Sequence, residues 1–130
     1  MEYLRKLDES KFDLTRFSVL TLAGRESGSE RCLFRVARVP VGVGSGSAGG
    51  EVPHTHTVDK FYYILSGIMT GEIDGAPFRA EPNTLVYVPA HLPHRNWNEG
   101  PEVELHIVLF VPEPAPGERI AVPVSTERAG

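Results

Sequence analysis

Short segments rich in β-branched and aromatic residues recur roughly every ten residues along this chain, with turn-forming residues between them. The chain holds 13 glycines and 11 prolines in 130 residues, which leaves little length for long helices. An Asp-Gly pair at 74–75 predicts a hairpin turn. This spacing predicts an all-β sandwich or barrel. The clearest expected strands are 17–22, 31–40, 61–65, 84–88 and 103–111.

The segment 54–67 combines a strand-forming core, Phe-Tyr-Tyr-Ile-Leu, with two histidines. Alternate residues of a strand share a face, so His54 and His56 are expected to point the same way. By the same parity, Lys60 and Tyr62 should face the imidazoles. Two imidazoles on one face can converge on a metal ion or a substrate.

A second histidine segment follows a proline that should end a buried strand. It runs from Pro89 to Asn98 and contains His91 and His94. Each histidine alone would more simply be read as a satisfied interior residue. Three histidines in two segments of this spacing favour a binding site instead.

These two segments resemble the motifs of the cupin family. The family's first motif is His-x-His, three or four residues, Glu, six residues, Gly. Its second is Gly, five residues, Pro-x-Gly, two residues, His, three residues, Asn. The resemblance implies a small single-domain protein folded as a double-stranded β-helix, or jelly-roll barrel. The matching residues are His54, His56, Gly67, Pro89, His94 and Asn98.

Three positions depart from the family pattern. Lys60 stands at the position of the motif Glu, Asn83 at the opening Gly of the second motif, and His91 at the Gly of Pro-x-Gly. The resemblance implies that His91 lies in a turn, and a ligand role for it is the less favoured interpretation.

One domain, 1–130, is expected for a chain of this length. We place the barrel core at about 17–112, after an N-terminal arm at 1–16 that forms a short helix or packs on a partner. The remaining 113–130 should be an extended tail, since its prolines, Pro123 among them, should keep it out of a sheet.

The resemblance implies that His54, His56 and His94 hold a divalent transition metal. Iron, zinc, nickel and manganese all accept imidazole, and the sequence does not choose among them. Without the motif carboxylate, the ligands would carry one negative charge less and one more coordination position of the ion would be open. Such a site would suit a small anionic substrate.

Lys60 complicates this prediction. An ammonium ~5 Å from a divalent ion would be opposed by roughly 6–7 kcal/mol at an effective dielectric constant of ~20. Four outcomes are open: the amine is neutral or swung away, it receives an anionic substrate without a metal, Asp59 compensates its charge, or it reaches the barrel rim.

Lys60, Tyr62 and His106 are the candidate catalytic residues. Tyr62 could donate a proton from its hydroxyl, although core packing is the simpler interpretation. His106 shares a strand face with Glu104, and the pair lies either in the barrel interior or in solvent. The segment 31–40 places an arginine on each face, for a structural ion pair or for a substrate carboxylate.

Three functions fit these residues. The favoured one is a metal-dependent dioxygenase or lyase/decarboxylase acting on a small anionic metabolite. The second is a metal-free lyase, dehydratase or epimerase that uses a histidine as base and Lys60 as electrostatic stabiliser. The third is a ligand-binding cupin without turnover.

Composition narrows the partners. The net charge of −4 and the lack of a dense Lys/Arg cluster argue against nucleic acid. The single cysteine, Cys32, excludes an internal disulfide. No apolar run approaches the ~20 residues of a membrane span, and no signal-peptide core is evident, so a cytoplasmic location is expected. The family resemblance also implies a homodimer.

Overall fold

The structure, a computed structural model, describes residues 2–44 and 53–116 together with the backbone of 122–123. Two 3-10 turns occur in these ranges, at Glu9–Lys11 and Arg25–Ser27. None of the helical segments described could cross a bilayer. The strands are β1 (Ser18–Ala23), β2 (Leu33–Val39), β3 (His54–Thr55), β4 (Asp59–Ser66), β5 (Met69–Ile73), β6 (Ala76–Ala80), β7 (Leu85–Val88), β8 (His94–Trp97), β9 (Glu104–Val111) and β10 (Val122–Pro123).

The strands form two five-stranded antiparallel sheets. Sheet A has the order β1-β2-β9-β4-β7, and sheet B has the order β10-β3-β8-β5-β6. The predicted all-β fold with two sheets is confirmed. The long strand expected around the first histidines is interrupted, because the chain leaves sheet B after Thr55 and enters sheet A at Asp59.

The hydrophobic core fills the space between the two sheets, which we call the barrel interior. Alternate residues of β4 and β9 are buried there, as the period of a strand requires. Ile64, Met69 and Val88 are essentially inaccessible to solvent. Burying a side chain of this size stabilises the fold by roughly 1.5–3 kcal/mol, so this core holds the sheets together.

Two turns depend on left-handed backbone conformations. Asp74 and Gly75, with φ of 50° and 80°, form the predicted turn between β5 and β6. Gly67 has φ of 71°, and a Cβ there would lie 2.5 Å from the carbonyl oxygen of Val103. The glycine that closes the first motif is therefore required both by φ and by space.

The tail departs from expectation at one point. The prediction that prolines keep it out of a sheet is wrong at 122–123, because Val122 pairs with Thr55 and Pro123 with His54. Pro123 can do so because β10 lies at the edge of sheet B, where a strand needs no hydrogen bonds on its outer side. The other tail residues beyond 116 lie outside the described ranges.

The N-terminal arm is anchored on its own chain. It is irregular apart from the 3-10 turn, whose N-cap Asp8 accepts from the backbone N–H of Ser10 at 3.1 Å. Phe12 is buried, and Nη1 of Arg5 donates to the carbonyl of Leu22 at 2.8 Å. Tyr3 remains 90% exposed.

Candidate metal centre

Three buried histidines meet at one end of the barrel interior. His54 in β3 pairs directly with His94 in β8, and His56 lies just beyond β3. One nitrogen from each ring lies within 4.8 Å of the others. Two imidazole nitrogens on one ion can be at most about 4.2 Å apart, so the rings need only small adjustments to share an ion. The expected convergence of the three imidazoles is confirmed.

His94 has the chemistry of a metal ligand. Its Nδ1–H donates to the carbonyl of Leu92 at 3.0 Å, which leaves the lone pair on Nε2. That Nε2 is buried and has no hydrogen-bond partner among the described residues. Burial, and then the nearby charge of Lys60, lowers the pKa of His94 to about 2, so the ring stays neutral. A neutral, buried, unpartnered nitrogen beside two other imidazoles fits a divalent cation.

Lys60 reaches into the same cluster. Its side chain is buried, and Nζ lies 3.2 Å from Nε2 of His56 and 4.6 Å from the centre of the Tyr62 ring. The prediction from strand parity is confirmed, and the alternative in which Lys60 reaches the barrel rim is wrong. Burial, and then the positive charge of Arg35, lowers the pKa of Lys60 to about 7. The amine is therefore neutral in a large part of the molecules at neutral pH.

Asp59 does not offset the charge of Lys60. It lies on the opposite strand parity, and its Oδ1 accepts from the backbone N–H of Ala90 at 3.0 Å. The alternative in which Asp59 turns towards the histidines is therefore wrong. The cluster presents three imidazoles and an amine, with no carboxylate contributed by β4.

A profile of the cupin domain matches residues 38–111. The chain belongs to the cupin family. Significant matches among proteins of curated function are lacking.

Solved structures agree with this membership. The polyketide cyclase RemF from Streptomyces resistomycificus is 15% identical, with a TM-score of 0.72 over 96% of this chain and 88% of RemF. TT1209 from Thermus thermophilus is 22% identical, with a TM-score of 0.69 over 85% and 100% of the two chains. An RmlC-like cupin with a double-stranded β-helix fold from Methanocaldococcus jannaschii is 18% identical, with a TM-score of 0.67 over 86% and 92%. At these identities the likeness establishes the jelly-roll fold and nothing finer.

Tyr62 is the neighbour of Lys60 in this cupin. Its hydroxyl donates to Oδ1 of Asn96 at 3.2 Å. Burial, and then the negative charge of Glu104, raises the pKa of the phenol far above its usual value. Tyr62 therefore stays protonated, and its ring lies against the amine of Lys60. Its catalytic role stays a prediction.

Glu104 and His106 lie in the barrel interior, which decides the alternative left open by the sequence. Both are 1% exposed, and Nδ1 of His106 lies 2.7 Å from a Glu104 carboxylate oxygen. His106 is four residues from Phe110 on β9, or roughly 13 Å along the strand. The ring of His106 contacts that of Tyr62, with 5.1 Å between centroids, and the group of three histidines that could share an ion among the described residues does not include it. Direct catalysis by His106 stays a prediction.

Two residues of the site were missed in the sequence. Asn96 holds the Tyr62 hydroxyl, and its parity with His94 on β8 was a usable signal. Phe110 packs its ring 5.0 Å from that of His56, and it shares parity with Glu104 and His106 on β9. His91 is exposed and does not join the cluster, as its turn position implied.

Proposed function

We propose that this cupin holds one divalent transition metal ion on His54, His56 and His94 and transforms a small anionic metabolite. The observation that carries the proposal is Nε2 of His94, which is buried and neutral and, among the residues that the structure describes, has no hydrogen-bond partner beside two further imidazoles. The proposed reaction class is a dioxygenase or a lyase/decarboxylase. Iron is the leading expectation for the metal, with zinc, nickel and manganese as alternatives.

The ion would supply Lewis-acid polarisation of a substrate carbonyl or carboxylate, or activation of dioxygen. The chain's own residues would orient the substrate and move protons. The carbonyl of Leu92 holds the His94 ring in position through Nδ1. Lys60, with a pKa of about 7, can give or take a proton at Nζ near neutral pH. Phe110 and Tyr62 exclude water from the side of the cluster that faces the core.

Elemental analysis of protein purified without chelators tests the proposal. We expect one transition metal at close to one equivalent, and loss of that metal in His94→Ala. The matched control is His91→Ala, which removes an exposed imidazole three positions away and should keep the metal. Less than about a tenth of an equivalent in the wild type, before and after incubation with each candidate ion, would refute the metal site.

A second candidate function is favoured by the position of Lys60. Its Nζ lies 3.2 Å from Nε2 of His56, so the amine itself can hold this imidazole as a proton-transfer pair. In that case the protein is a metal-free lyase, dehydratase or epimerase. This candidate predicts turnover that survives chelation and is lost in Lys60→Ala. Inactivation by a chelator, reversed by metal, would exclude it.

A further inference from the structure

A cavity of about 600 Å³ opens beside β1 and β2, between the turn at Arg25–Ser27 and the segment that follows β9. Leu33 in its wall pairs with Phe110 of β9, and Phe110 pairs with Lys60 of β4, so the cavity wall lies two strands from Lys60 in sheet A. Its wall is part apolar and part charged. The residues that line it are Thr21, Gly24, Arg25, Glu26, Ser27, Leu33, Arg35, Glu113, Pro114, Ala115 and Pro116.

Arg35 contributes to this wall a cation that has no ion-pair partner among the described residues. It shares a face of β2 with Leu33 and Ala37, which are both buried, so it points into the barrel interior. Its Nε is buried without a partner, and its guanidinium forms no hydrogen bond or ion pair with the residues that the structure describes. A buried donor left without an acceptor costs free energy, so such a group needs an explanation.

Glu113, whose negative charge acts on Arg35, does not supply the missing acceptor. Glu113 accepts the backbone N–H of Arg25 at 2.6 Å and pairs with Nη1 of Arg25 at 3.2 Å. Its negative charge acts on Arg35 only from beyond ion-pair distance. Of the two arginines that line the cavity, Arg25 is paired with Glu113, whereas Arg35 has no such partner in the part of the chain that the structure describes.

We propose that Arg35 binds the carboxylate of a small organic acid in this cavity. The guanidinium would donate in parallel to the two carboxylate oxygens, which is the geometry that Arg and carboxylate share. Leu33 and the prolines at 114 and 116 would contact the carbon skeleton. Carboxylate binding by Arg35 does not rest on the function proposed above.

The test measures binding of three probes by isothermal titration calorimetry: 2-oxobutanoate, butanoate and the uncharged butanamide. We expect Arg35→Gln to weaken binding of both acids about tenfold or more, as loss of a charge-assisted pair implies. Arg35→Lys should retain part of the affinity, because a point charge replaces the fork. Arg38→Gln is the matched control, since Arg38 lies on the opposite face of β2 and donates to the carbonyl of Leu14.

Each outcome decides one of the two proposals. Equal acid binding by wild type and folded Arg35→Gln, or no acid binding by the wild type up to about 20 mM, overturns the role of Arg35. If Arg35→Gln does not fold, reduced acid affinity in folded Arg35→Lys supports the proposal and unchanged affinity overturns it. Metal content is measured on the same samples. Arg35-dependent binding in protein that takes up no metal would leave this inference standing and remove the metal proposal.

Discussion

Asn83 and His91 occupy the two positions where the second cupin motif carries glycine, and both have left-handed backbones, with φ of 67° and 68°. The departures from the motif therefore preserve its backbone shape. Asn tolerates this region better than most residues, while a residue such as His incurs a cost of roughly 1 kcal/mol there. The strain at His91 follows from its positive φ, and the motif indicates that glycine is the residue that would relieve it.

His91→Gly should raise the melting temperature relative to His91→Ala. Both changes remove the imidazole, but only glycine relieves the positive φ, so the difference between them isolates the backbone term. We expect the two variants to differ by about 1 kcal/mol in the free energy of unfolding. Denaturant titration checks this, and an alanine variant as stable as the glycine variant would contradict it.

Lys60→Met should stabilise the metal-free protein most at or below neutral pH. The pKa of Lys60 is about 7 in the folded protein and near 10.5 when unfolded, so the unfolded chain binds more protons between these values. The free energy of unfolding of the wild type therefore rises with pH across this window. Below pH 7 the full cost of burying the charged Lys60 amine is present. Between pH 7 and 9 the wild type should gain roughly 2 kcal/mol over Lys60→Met.

The difference between the two proteins is the measured quantity, because the other groups titrate in both. Denaturant unfolding at several pH values after chelation gives that difference. A constant gap from pH 7 to pH 9 would show that the amine keeps its ordinary pKa in the fold.

Strand parity predicted that Lys60 faces the imidazoles, since alternation is a local property. Parity could not place His106 at depth, because depth depends on the register between distant strands.

At the scale of strands and turns, the sequence predicted most of sheet A and the β5–β6 hairpin, where period and turn residues are local signals. It did not predict the break between β3 and β4, because residues 54–66 carry one alternation through both strands. The pairing of β10 with β3 was also missed. Proline is tolerated in an edge strand, and tertiary contacts, which the local sequence does not reveal, determine which strand lies at the edge.

Gly67→Ala should destabilise the protein by more than Gly75→Ala. Both glycines have positive φ, 71° and 80°, so both substitutions add the backbone cost of about 1 kcal/mol. A Cβ at Gly67 would also meet the backbone of Val103 and Glu104 within 3 Å, whereas nothing lies within 4 Å at Gly75. Urea unfolding of the two variants measures the steric cost as the difference between their losses in free energy of unfolding. Equal losses would mean that the backbone around the turn after β4 shifts to accept the Cβ at little cost.

At the scale of the whole molecule, the outer face of sheet A is unusually apolar. Tyr63 pairs with Leu85, Phe61 pairs with Tyr87, and all four lie on the side away from the barrel interior. Leu85 and Tyr87 remain 58% and 48% exposed. Contiguous apolar surface of this kind is typical of an interaction site on a small protein. The homodimer implied by the family stays a prediction, and we assign it to this face.

If the predicted dimer forms through this face, Leu85→Lys should convert it into a monomer. A charge at this point of the face would be buried against the partner without a counter-charge, which costs several kcal/mol per interface. Light scattering coupled to size-exclusion chromatography reports the mass. The control is Arg79→Ala, an exposed change in sheet B that should leave the mass unchanged. A wild type that elutes as a monomer at micromolar concentration would contradict the assignment.

The pairing of β10 with β3 has a practical consequence. The strand that carries His54 is two residues long and is held on one side by His94 and on the other by Val122–Pro123. Residues nearly seventy positions away in sequence thus pair with the backbone that carries one imidazole. Tags, fusions or truncations near residue 122 would then disturb the histidine cluster, although residue 122 lies far from His54 along the chain.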